Sequence, residues 1–122
     1  MTGRELETRI IDFAARCVKV CGALPHNKIG SASLGDQLFR SATSVAANYS
    51  EANQAESRKD FIHKAKVAVK ELNEARTWLR IVDGSQYVPS LSLDDLINEA
   101  NELAAILGLS ISTSYRNLQT QG

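Results

Sequence analysis

Only two prolines, Pro25 and Pro89, occur in the 122 residues. Long stretches are therefore free of the residue that removes a backbone donor and breaks helices. Cysteine is as scarce: Cys17 and Cys21 stand one helical turn apart. That spacing suits reduced, buried thiols and argues against a disulfide-stapled scaffold. The only histidines, His26 and His63, are not at metal-ligand spacing with other His or Cys, and both read as solvent-exposed. There is no apolar run long enough to cross a membrane, and the opening "MTGRELETRI" has no apolar signal core. A cytoplasmic protein without membrane contact is expected. Net charge is absent too: 14 Lys and Arg balance 14 Asp and Glu. Global electrostatic attraction to nucleic acid or anionic lipid is thereby excluded, and any such binding needs a local patch. Glycine-rich phosphate loops, a nucleophile elbow and an EF-hand loop are all missing. An enzyme reading has little to stand on, and no cofactor is implied.

What is present is helical periodicity. Leu6, Ile10, Phe13, Cys17, Val20 and Leu24 form one apolar stripe, predicting a first helix over about Arg4–Leu24. Ser31 or Ser33 can cap a second helix running to about Asn53, with Leu38, Ala42, Val45, Tyr49 and Ala52 on one face. A third helix starts after Ser57 and runs to about Val82, with a stripe of Phe61, Ala65, Ala68, Leu72, Ala75, Leu79 and Val82. After the loop "DGSQYVPSLS" a fourth begins, with Asp94 and Asp95 at the positive end of its dipole. Leu96, Ala100, Leu103, Leu107, Ile111, Tyr115 and Leu118 are its stripe, and Glu99 and Glu102 suit its solvated face. Helices of this length with short links predict an all-α, antiparallel up-down-up-down four-helix bundle, one domain over residues 1–122.

The second helix is rich in small residues. Ala42, Ala46, Ala52, Ser41 and Ser44 keep it slim, and Ala65, Ala68 and Ala75 of the third helix would face them at close approach. Arg40, Ser44, Asn48 and Glu51 form a polar flank that needs a reason in mid-helix. One reading is a buried polar network, with Glu71 opposite, that fixes helix register. The sharper reading is a ligand or nucleic-acid site built on the same residues.

The stretch "QLFRSATSVAANYSEA", followed by "SRKDFIHKAKVAVKELNEARTWLRI", resembles the bacterial four-helix-bundle family of 23S rRNA-intervening-sequence proteins. Arg40, Ser44, Val45, Asn48 and Glu51 match one part of the family pattern; Ser57, Phe61, Glu71 and Leu72 match the other. Ala52 departs from it, standing where the family has glycine, so a sharp glycine turn there is not carried over. The resemblance implies a four-helix bundle assembled as a homo-oligomer, commonly a ring-like pentamer.

Charge is unevenly distributed. Between Ser57 and Val82, Arg58, Lys59, Lys64, Lys66, Lys70, Arg76 and Arg80 outnumber Asp60, Glu71 and Glu74. Lys59, Lys66, Lys70 and Arg80 are candidate contacts to RNA or DNA phosphates, though the arc has no interleaved aromatics for base stacking. The plainer reading is a solvated face, or attraction to the acidic fourth helix. Val67, Trp78 and Ile81 lie off the apolar stripe and are the candidate oligomer interface. Two function classes follow. One is a self-associating assembly or scaffold module with a protein partner. The other is an RNA- or DNA-binding module using the basic face of the third helix.

Overall fold

A computed structural model describes residues 1–121. Helices α1 (Gly3–Ala23), α2 (Ser31–Asn53), α3 (Arg58–Ser85) and α4 (Asp94–Gln121) make up the chain, with no strand among the described residues.

Each boundary has a local cause. Thr2 caps α1 in a full capping box: its hydroxyl accepts from the Glu5 amide, and the Glu5 carboxylate accepts from the Thr2 amide. Ser57 caps α3 by accepting from the Asp60 amide at 3.1 Å. The start of α2 differs from expectation. Neither Ser31 nor Ser33 caps it; the N-cap is Gly30 at φ +74°, which offers no side chain. A left-handed entry favours glycine over a serine that would carry strain. Ser31 is instead buried. Helix α3 runs a turn beyond Val82, through Gly84. The Ser85 hydroxyl closes it, donating to the Val82 carbonyl at 2.7 Å and accepting from the Tyr87 amide at 3.2 Å.

Cross-links between helices fix their directions. The Asn53 amide donates to the Gly3 carbonyl, and the Cys21 thiol donates to the Gly35 carbonyl, so α1 and α2 run antiparallel. Lys64 meets Glu51 at one level of the α2–α3 pair, while Arg40 meets Glu71 and Glu74 at another. Lys66 lies against Tyr115 and Arg76 against Asn101, which sets α4 antiparallel to α3. The helices therefore run up, down, up, down, each packed on its neighbour in sequence. Contact between α1 and α4 is the sparsest of the four seams.

The core is continuous across all four helices. Ile10, Phe13, Cys17, Leu38, Ala42, Val45, Leu72, Leu79, Leu103 and Leu107 are fully buried, and the α3 alanines Ala65, Ala68 and Ala75 are sealed with them. The slim α2–α3 seam is thus a packing feature. Two stripe positions differ from the sequence reading. Phe61 packs against the core but is only half-buried, while Ile62, which lies off the stripe, is buried. Tyr115 is exposed, since α4 continues past the start of α1 and rests there on α3 alone.

Candidate nucleic-acid interface

Most mid-helix hydroxyls and amides of α2 are satisfied within α2. Ser41 is fully buried, and its hydroxyl donates to the Gln37 carbonyl at 2.9 Å. Asn48 donates to both the carbonyl and the hydroxyl of Ser44, at 2.9 and 3.0 Å. Arg40 reaches α3, donating to Glu71 at 3.1 Å and also to Glu74, but its side chain is half exposed. Glu51 pairs with Lys64 at 2.7 Å on the surface. In the single chain, Arg40, Ser44, Asn48, Glu51 and Glu71 therefore form three separate groups. They are not one buried network: Asn48 and Ser44 bond within α2, while Arg40–Glu71 and Glu51–Lys64 bridge to α3 as separate pairs. Of the five, Glu51 alone lines one of the described clefts, beside Glu56, Asp60 and Lys64, and the metal-ligating side chains of the described residues nowhere cluster in threes.

The seam between α1 and α4 holds a charge cluster the sequence reading missed. Arg9 clamps Glu99 with two hydrogen bonds, at 2.7 and 2.6 Å, and reaches Glu102 as well. Glu99 is mostly buried, so it does not belong to a solvated face. The hydrogen bond from Arg9 holds the Glu99 carboxyl below its usual range, and the same bond raises the Arg9 guanidinium. The signal was present as Arg9 beside the Leu6–Ile10 stripe, but its partner lies 90 residues away. Burial pushes the Cys17 thiol up to about 12 and raises Cys21 too, which makes both poor nucleophiles.

The basic side of α3 is more open. Lys64 is paired with Glu51, and Arg76 donates to Asn101 at 2.9 Å. Lys59, Lys66, Lys70 and Arg80 have no carboxylate partner among the described residues. Three of them, Lys59, Lys66 and Lys70, follow one outward line with His63 over about 16 Å at 1.5 Å per residue, and Arg80 stands farther along. The missing aromatic comes from α4. Tyr115 lies beside this line, its hydroxyl 3.4 Å from Lys66 Nζ. Together Lys59, Ile62, His63, Lys66, Tyr115 and Leu118 enclose a cleft of about 230 Å³. Helical spacing alone places Tyr115 on the core stripe, and the sequence carries no mark of where α4 outruns its neighbours.

The proposed interface residues are placed differently from one another. Ile81 is exposed and Val67 half-buried. Trp78 packs against its own core, and its indole N–H donates to Glu74 at 3.4 Å. Other exposed aliphatic and aromatic side chains are Ile11, Val18 and Phe39 on the α1–α2 pair, Ile29 and Leu91 in the links, and Leu109 on α4.

A family model for 23S rRNA-intervening sequence proteins matches residues 5–108. The chain belongs to that family. The match takes in the first three helices and the first half of α4, well beyond the stretch from Gln37 to Val82 on which the resemblance rests. The fold is similar to the crystal structure of a protein of unknown function from the S23 ribosomal protein family of Bacteroides thetaiotaomicron VPI-5482. That similarity has a TM-score of 0.82 at 32% identity, covering 92% of this chain and 99% of that one. No curated protein matches the chain. Tyr115 and Leu118 lie beyond the end of the family match.

Proposed function

We propose that this intervening-sequence protein is a non-enzymatic, cytoplasmic assembly module. Copies associate through apolar faces into a closed homo-oligomer, and the particle presents its remaining surface to a macromolecular partner. The observation that carries this reading is the apolar line on the outside of the α1–α2 pair. The register set by the Cys21–Gly35 and Asn53–Gly3 bonds brings Val18 about level with Phe39, and Ile11 about level with Ala46. Phe39 is 51% exposed and Ile11 50%. A bundle that has already buried its core stripes has no internal use for such side chains. Burial against another copy gives them one. Ile81 and Val67 are a second candidate patch, on α3. A pentamer is the subunit number implied by the family resemblance.

Light scattering across a concentration series tests this. A mass of five times 13.3 kDa is expected, falling for Phe39→Glu and Val18→Glu. A mass of 13.3 kDa at every concentration sinks the reading. Trp78→Ala is a poor probe, since Trp78 also supports its own chain's core.

The carboxylate-free line of Lys59, Lys66 and Lys70 favours a second reading, an RNA- or DNA-binding module. Binding would fall steeply with salt, and reversing Lys66 and Lys70 to Glu would weaken it for every sequence. A mobility-shift assay with structured RNA at low and moderate salt decides it. No shift at micromolar protein removes this reading.

A further inference from the structure

We propose that the cleft between the start of α3 and the end of α4 takes single-stranded nucleic acid, one base lying on the Tyr115 ring and the flanking phosphates on Lys59, Lys66 and Lys70. The inference rests on the second reading above and gives it a strand type and a base-contacting residue.

Three observations carry it. The first is the Tyr115 ring, 41% exposed although it follows the α4 core spacing. The second is the position of the cation. Lys66 Nζ is 3.4 Å from the phenol oxygen but 5.8 Å from the ring centroid. It therefore lies off the hydroxyl end, where it donates a hydrogen bond, and does not sit over the ring face. A planar group can approach the ring while the ammonium stays at its rim. The third is the composition of the cleft. Ile62 is buried and Leu118 half-buried, making an apolar floor; Lys59, His63 and Lys66 stand around it. An apolar floor with an aromatic wall and a cationic rim suits a group that is flat on one side and anionic on the other. Phosphate alone would need no floor, and an aliphatic ligand no aromatic wall.

Size and shape narrow the choice. At about 230 Å³ the cleft is below the ~300–1,000 Å³ of pockets that enclose a small molecule. It holds a part of a ligand, and the cations continuing to Lys70 imply a chain of anions. A duplex is disfavoured, because its bases are stacked and a tyrosine on a helix side reaches none of them. An unpaired strand presents its bases freely, and stacking on an aromatic ring tolerates any sequence.

The experiment is fluorescence anisotropy with the full chain at fixed salt. Its probes are labelled oligouridylate, an abasic oligomer of equal length, and a hairpin duplex. The expected result is oligouridylate bound about 5- to 150-fold more tightly than the abasic strand, which follows from one stacked base. Tyr115→Ala should abolish that ratio and Tyr115→Phe keep it. The double change Lys66→Glu with Lys70→Glu should weaken both strands alike. Equal binding of the abasic and base-bearing strands overturns the stacking inference, and that measurement needs no variant. So does a ratio unchanged in Tyr115→Ala, or tighter binding of the duplex. If the charge reversals still weaken binding in those cases, the phosphate-contact reading survives alone. No binding of any probe removes both.

Discussion

The Ser41 hydroxyl is fully buried, yet it bonds only to carbonyls of its own helix, Gln37 and Leu38. Those carbonyls belong to the α2 ladder and lose little if the hydroxyl goes. Ser41 therefore acts as a small residue whose oxygen is locally quenched. Ser41→Ala should change stability by no more than about 0.5 kcal/mol in urea unfolding, because no donor is stranded and alanine is the better helix former. Ala68→Leu should cost about 1–3 kcal/mol, since Ala68 is sealed at the α2–α3 seam and added methylenes have nowhere to go. A large loss for Ser41→Ala beside tolerance of Ala68→Leu would reverse this picture. The alanines were legible in the sequence because they fall on the apolar period. Ser41 was not, because a serine bonding back one turn and a serine facing a ligand have the same letter and spacing.

The helices were readable as elements, since Leu6, Leu38, Leu72 and Leu103 each anchor an unbroken stripe. Their ends were less so. Gly30 rather than a serine opens α2, and Ser85 closes α3 a turn late, because both depend on backbone angles with no periodic signal. Pairing between distant elements was silent as well. The α1–α4 seam, the sparsest, is tied by Arg9 to Glu99 and Glu102. Its pH dependence follows from Glu99, whose carboxyl is held low in the folded chain by the Arg9 hydrogen bond. A lowered folded value gives stability that is full above the unfolded carboxyl's value of about 4.3 and is lost as pH falls through the folded one. Part of the acid lability should therefore arise at this seam. The contribution is about 1 kcal/mol, discounted because Arg9 is partly solvated. In urea melts from pH 6 down to pH 2, Glu99→Gln should start less stable and show a shallower decline. A decline as steep as the parent's would place the acid sensitivity elsewhere.

A neutral molecule with a basic α3 and an acidic α4 has two surfaces to cover. The core stripes are buried, and the exposed apolar line of Ile11, Val18 and Phe39 is one surface that a single copy leaves uncovered. The sequence pointed instead to Trp78, because tryptophan off a stripe looks like an anchor; its own chain already occupies much of it. Ile11 and Val18 were visible as two residues seven apart outside the α1 stripe, but only the register of α2 brings Phe39 beside them. If copies associate through this line, unfolding and dissociation are linked, and mass action makes the melting temperature rise with protein concentration. Melts followed by circular dichroism over a hundredfold range of concentration should show that rise in the parent. In Phe39→Glu the curve should lie flat, at or below the lowest parent value, because the charge leaves the core untouched and blocks only the contact. Leu109→Glu, on the far side of α4, serves as the matched control and should keep the concentration dependence. A parent whose melting temperature ignores concentration would mean that the apolar line is open to a partner other than its own kind. A slope lost in Leu109→Glu but kept in Phe39→Glu would move the contact from the α1–α2 pair to α4.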